Sequence, residues 1–122
     1  MSHAVDPNDL SAVAEPYGTT PFLLYSSADG SARVNHVLAR IEHGEPVVIV
    51  RGFGRGVHRR VEDGAMLSLL WPAPDGIEFS LIADGVGALG DGPDGESDPI
   101  LSINISAAVL HRPAPVDGNA TC

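Results

Sequence analysis

Turn signals recur at short intervals along this chain, and the apolar runs between them are short, β-branched and largely alternating. That combination constrains the fold more than any other feature, because it leaves little room for long helices and asks for many short strands. Pro21 to Ser26 is apolar and stops at Ala28-Asp29-Gly30, a strong hairpin turn. Arg33 to Ile41 follows, with Val34, His36, Leu38 and Arg40 on one face and Asn35, Val37, Ala39 and Ile41 on the other. Pro46 to Val50 reads as a buried strand. Ala65 to Trp71 reads as another, ended by Pro72 and Pro74. Ile77 to Leu89 is a longer strand in which Gly85 and Gly87 mark a bulge or a close backbone approach. Ile100 to Leu110 is the last.

Helix is sparse. Asn8 or Asp9 is positioned to cap a short helix through about Tyr17, with Leu10, Val13 and Ala14 on one face. A second short helix is expected over Gly56 to Asp63. Six strands with one or two short helices predict a mainly β, six-stranded barrel, since closure removes aggregation-prone edges. The predicted organisation is a flexible N-terminal arm (residues 1–8), a barrel domain (9–113) and a flexible C-terminal tail (114–122).

Charge is distributed unevenly. The net charge is −9, there is no lysine, and four of the seven arginines lie in Arg51-Gly52-Phe53-Gly54-Arg55-Gly56-Val57-His58-Arg59-Arg60. Glycines that let a backbone approach closely, interleaved with guanidinium groups, suit an anion. The competing reading is a solvated basic turn. Arg55, between two glycines, is the first choice for a phosphate or carboxylate, with neighbouring N–H groups available to the same ligand. Arg59 and Arg60 are adjacent on the expected helix and cannot both face the site. The acidic balance argues against nucleic acid as a partner. No apolar run approaches the ~20 residues of a membrane span, and the start of the chain has no secretory-signal pattern, so a cytoplasmic location is expected. Cys122 is the only cysteine and makes no internal disulfide.

The histidines and carboxylates show no zinc spacing, and the acidic loop Asp91, Asp94, Glu96 and Asp98 lacks the EF-hand order. Gly-x-Ser-x-Gly, P-loop and dinucleotide fingerprints are absent. His36 lies mid-strand, where a satisfied core or interface histidine competes with a ligand or acid–base role. Trp71 is read as a core or interface residue, with stacking on an aromatic ligand as the alternative. His111 with Arg112 either reaches a partner's cofactor or caps the final strand.

The order of these segments resembles the pyridoxamine 5'-phosphate oxidase-like split barrels that bind flavin mononucleotide (FMN), particularly short actinobacterial-type members. The resemblance is carried by the hairpin Phe22 to Ile41, by the strand Pro46 to Val50 running into Gly54-Arg55-Gly56, by Leu67-Ser68-Leu69-Leu70-Trp71-Pro72, and by Val109-Leu110-His111-Arg112-Pro113. It implies a homodimer with FMN, or a deazaflavin, at the subunit interface. It places Asn35, His36, Val37 and Leu38 against the ring system. It places Val50, Arg51, Arg55, Gly56, Val57 and the neighbouring His58 around the ribityl and phosphate groups. The chain departs from the oxidase pattern where Gly56-Val57 replaces an Arg-Lys pair, with Arg51 and Arg55 as candidate replacements. It is also too short for that oxidase's C-terminal substrate segment, so pyridoxamine phosphate oxidation itself is not expected. The implied function is a flavin- or deazaflavin-dependent oxidoreductase acting on a small organic substrate, with no assigned catalytic side chain. A non-redox protein that binds a small anionic ligand, a cofactor-independent enzyme using His36 and an arginine, and a purely structural dimer remain as alternatives.

Overall fold

The computed structural model describes residues 2–92 and 98–114. The acidic stretch 93–97 and the tail from residue 115 lie outside the described residues. Among the described residues eight strands form one antiparallel sheet: β1 (Ser2–Val5), β2 (Phe22–Ser26), β3 (Ala32–His36), β4 (Leu38–Ile41), β5 (Val47–Arg51), β6 (Met66–Trp71), β7 (Ser80–Asp91) and β8 (Pro99–His111). The strand order is β3-β2-β6-β7-β8-β5-β4, with β1 beside the far end of β8. The α-helices among the described residues are α1 (Leu10–Ala14) and α2 (Arg55–Glu62).

Two differences from the expected six strands have clear physical causes. The predicted strand over 33–41 is divided at Val37. Its first half pairs with β2 and its second with β5, at opposite ends of the strand order. The corner is held by Val37 N–H donating to the Pro21 carbonyl (3.1 Å) and Ala39 N–H donating to the Thr19 carbonyl (2.8 Å). These bonds bring the two ends of the sheet together, so the sheet curls into a split barrel. Alternation nevertheless runs unbroken through the corner: Val37 and Ala39 are buried while Val34, His36, Leu38 and Arg40 are exposed. The other difference is the N-terminal arm. Ser2–Val5 is a strand, because β8 is long enough to offer β5 one part of its edge and β1 another.

The first helical segment is also corrected. A 3₁₀ turn over Pro7–Asp9 precedes α1, and its cap is Asp6, whose carboxylate accepts from the Asn8 N–H at 2.9 Å. Asp9 occupies the N-cap position of α1 itself, but its side chain makes no capping hydrogen bond. Leu10 and Ala14 face the core as expected. Trp71, Leu23, Leu69 and Leu81 fill the barrel interior. Trp71 is thus a core residue and not an exposed stacking platform.

The β2–β3 hairpin shows how the turn is written into the sequence. Gly30 adopts φ 87°, and Asp29 accepts from the Ser31 N–H at 2.9 Å and from the Ser27 hydroxyl. These bonds, led by that from Ser27, hold the Asp29 carboxyl well below its ordinary range; Arg33 contributes least. A depressed carboxylate stabilises the fold above its unfolded-state pKa of ~3.9 and loses that contribution as pH falls through the folded value. In an NMR titration Asp29 is therefore expected to remain ionised below pH ~3, and a midpoint near ~4 would show that the turn does not hold it.

Candidate functional site

The arginine-rich segment spans the end of β5, a turn, and the first turn of α2. Gly52 (φ 80°) bends the chain out of β5. Gly54 is the N-cap residue of α2, and no side chain caps the helix. The first-turn N–H groups therefore have no capping side chain among the described residues, the state in which a helix start accepts an anion. Val57 and Val61 anchor α2 in the core, and Gly64 (φ 75°) terminates it.

Asn35 fixes this turn from the neighbouring strand. Its Oδ1 accepts from the Gly54 N–H at 3.1 Å. Gly56 is required by another contact, since a β-carbon there would collide with the Tyr25 hydroxyl. The glycine at 56 lets α2 lie close to β2; the space it leaves is filled by protein.

Beside α2 is a cavity of about 500 Å³, lined by Phe53, Arg55, His58, Arg59, Glu62 and Pro99 together with Gly54. Its walls are the turn, one face of α2 and the start of β8. Arg55 and Arg59 are exposed and have no hydrogen-bond or ion-pair partner among the described residues. Arg60 differs: its Nε donates to the Ser26 carbonyl at 2.7 Å and its guanidinium pairs with Asp63 at 3.0 Å. The expectation that Arg59 and Arg60 divide between two faces is met, with Arg59 on the cavity side. His58 Nδ1 lies 3.1 Å from Glu62 Oε1, so the one carboxylate among the described lining residues already has a neighbour.

The structure separates the remaining candidates. Val37, Val50 and Val57 are buried in the core, so only their backbone atoms are available to a ligand. Arg51 lies opposite Leu38 and lines a different recess of about 330 Å³ on the outer face of β4 and β5, with Thr19, Arg40 and Ile49. His36 is stacked on Phe22 (ring centroids 4.5 Å apart), and its Nε2 is 3.0 Å from the Thr20 carbonyl oxygen. His111 approaches the Ser2 hydroxyl (3.1 Å), while Arg112 pairs with Glu78 and lies over the Phe79 ring. Sequence reasoning did not anticipate Phe53, Glu62 or Pro99 as cavity residues. The spacing of Arg55, Arg59 and Glu62 along one helix face was the available signal; Pro99 is brought in by the long-range pairing of β8.

Among the described residues there is no group of three or more histidine, cysteine, aspartate or glutamate side chains arranged to hold a metal ion. No helix among them is long and apolar enough to cross a membrane.

No protein-family model and no curated protein matches the sequence. Solved structures do match. A Clostridium acetobutylicum protein related to general stress protein 26 of B. subtilis, of the pyridoxinephosphate oxidase family, superposes with a TM-score of 0.68 at 10% identity, covering 88% of this chain and 91% of that one. An F420 reductase superposes with a TM-score of 0.59 at 16% identity, covering 74% and 88%. HupZ of Group A Streptococcus gives a TM-score of 0.59 at 11% identity, covering 83% and 87%. At these identities the likeness is one of fold, and it agrees with the β-sheet closure described above: the chain has the split-barrel fold of the pyridoxamine 5'-phosphate oxidase-like proteins.

Proposed function

We propose that this chain is a flavin- or deazaflavin-dependent oxidoreductase that acts on a small organic substrate as a cytoplasmic homodimer. The observation that carries the reading is the cavity beside α2, where two guanidinium groups without partners among the described residues meet an uncapped helix start in a chain of net charge −9. The fold supports it, because similar structures include an F420 reductase and a member of the pyridoxinephosphate oxidase family.

The residues present fit an anionic cofactor, with a changed set of contacts. Arg55 and the first-turn N–H groups of α2 would hold the phosphate. Asn35 positions that turn through Gly54. A bound flavin would supply the hydride- or electron-carrying centre. The chain's own work is then to bind, to orient and to exclude water; no side chain need transfer a proton. Mixing the purified protein with FMN or coenzyme F420 is expected to perturb the cofactor's visible spectrum. A colourless protein with no measurable affinity for either would eliminate the reading.

A homodimer is supported by the outer face of the sheet. Leu38, Met66 and Val86 are exposed apolar residues beside buried core neighbours on their strands, and Val34 is exposed on β3. An exposed apolar surface of this kind suits a self-complementary interface. Light scattering is expected to give twice the chain mass, and Val86→Asp to lower it towards the monomer. A monomeric wild-type protein would remove both the dimer and any site shared between subunits.

The non-redox alternative has one observation in its favour. At positions 56 and 57, where the oxidase pattern uses cationic side chains, the structure has a glycine packed under Tyr25 and a fully buried valine. That reading requires an anionic ligand without turnover, and reduction of bound flavin by a nicotinamide cofactor would count against it.

A further inference from the structure

The outer face of the sheet that carries Met66 and Val86 also carries a carboxylate. The inward set on β6 and β7 is Leu67, Leu69, Leu81 and Ala83. Alternation therefore turns Ser68 and Asp84 outward, where they are opposite each other in the register. Ser68 Oγ donates to Asp84 Oδ1 at 2.5 Å. Apolar side chains surround the pair. Their row continues across β2 and β3 into Leu24 and Val34. Leu70 and Ile82 lie on one side of that row, Met66 and Val86 on the other.

Among the described residues no ionisable side chain occupies the register positions around Asp84: on β8 these are Ala107 and Ser106, on β6 Ser68, and along β7 Ile82 and Val86. Basic groups elsewhere on the outer face are engaged. His36 stacks on Phe22 with its Nε2 at the Thr20 carbonyl, Arg40 pairs with Glu42, and Arg51 has an interaction of its own. Arg33 lines a recess with Ser68, but alternation places it on the other side of β3 from Val34. A second copy seated on this face takes Asp84 out of water. An ionised carboxylate with one hydroxyl donor and apolar walls is costly to desolvate, and a neutral carboxyl is far less so. We propose that closing the homodimer interface over Asp84 is coupled to proton uptake by its carboxyl, one proton per subunit, so that acid tightens the dimer. The inference rests on the homodimer reading above and adds a control to it. Burial favours the neutral form in the dimer. Association is therefore strongest below the ordinary carboxylate range of ~4, and it weakens as pH rises until Asp84 is ionised in the free subunit and penalised in the dimer.

Sedimentation equilibrium at fixed ionic strength measures the dimer dissociation constant at pH 5 and pH 7.5 for wild type, Asp84→Asn and Glu45→Gln. Glu45 is exposed in the turn between β4 and β5. Its variant removes the same charge from an acidic chain and so reports the general easing of repulsion. Wild type and Glu45→Gln are expected to dimerise about tenfold more tightly at pH 5 than at pH 7.5. Asp84→Asn is expected to lose most of that dependence and to dimerise about tenfold more tightly than wild type at pH 7.5. Any slope from His36, on the same outer face, persists in Asp84→Asn. Ser68→Ala, which withdraws the hydroxyl donor from the charged form, is expected to steepen the dependence. Asp84→Asn with the wild-type slope overturns the coupling and leaves the dimer standing. A weaker Asp84→Asn dimer at pH 7.5 also overturns it, by showing that the second copy supplies a cation to an ionised Asp84. A wild-type protein that is monomeric at both pH values overturns the coupling and the homodimer together.

Discussion

Gly85→Ala is expected to destabilise the protein by about 3–4 kcal/mol, enough to lower the melting temperature by roughly 10–15 °C in a domain of this size. The cause is a backbone contact. Register between β7 and β8 shifts between Asp84 and Gly85: Asp84 faces Ala107 whereas Gly85 faces Ile105, leaving Ser106 as the extra residue. At that bulge a β-carbon on Gly85 would collide with the carbonyl group of Asn104 and press on Ile103. A carbonyl within a ladder cannot move aside without breaking the pairing of the two longest strands. Nearby glycines provide an internal scale. A β-carbon on Gly87 would meet the end of the Leu101 side chain at 2.5 Å and Leu67 at 3.2 Å, both of which can adjust. On Gly90 it would be 3.8 Å from Ile100, an ordinary contact. The expected order of destabilisation in thermal melts is Gly85→Ala, then Gly87→Ala, with Gly90→Ala near zero. A Gly85→Ala protein that melts with the wild type would show that the bulge is not where the register places it.

Much of this barrel was legible because burial on one face of a strand leaves a period of two, which survives even where the strand is divided. The alternation from Val34 to Ile41 sorted the residues correctly between two faces, although it did not say which face is inward and gave no sign of the corner at Val37. That corner depends on Thr19 and Pro21, distant carbonyls that receive the freed N–H groups, and long-range backbone pairing leaves no trace in local composition. β1 was missed for the same reason. Its sequence is short and mixed, and its strand state depends on an unused length of β8 edge. Turn chemistry was more legible: Asp29-Gly30 was identified because Gly30 answers a local backbone requirement, whereas Gly85 and Gly87 showed as glycines inside a strand whose reason is a close approach from neighbouring strands. The site was legible as an arginine-rich segment and not as a cavity. Helical periodicity separates Arg59 from Arg60, but it takes the positions of Ser26 and Asp63 to show which of the two is held away. Resemblance alone assigned a ligand-facing role to Gly56 and Val57, while the structure turns one against Tyr25 and buries the other.

Val57→Asp separates those two accounts of the segment most sharply. If residue 57 faced a ligand, an aspartate there would weaken anion binding and leave the fold intact. Val57 is instead fully buried on the core face of α2, one turn before Val61. An unpaired carboxylate at that position has no described polar side chain buried beside it, since the described core contains no buried polar or charged residue. The expected cost is about 3–5 kcal/mol at neutral pH. Burial raises the pKa of the introduced acid, so its folded-state value lies above the unfolded ~3.9. The destabilisation is therefore smallest below pH ~4, where the group is protonated in both states, and deepens as pH rises until the group is ionised in the unfolded chain and fully penalised in the folded one. Denaturant melts at pH 4 and pH 7 measure that slope directly. Val57→Thr, nearly the same shape with one hydroxyl, should cost less and show no such pH dependence. Because α2 carries Arg55 and Arg59, loosening it also disperses the two guanidinium groups, and ligand affinity is expected to fall along with stability in Val57→Asp. A variant that loses affinity at full stability would return residue 57 to the ligand and move the core face of α2 elsewhere.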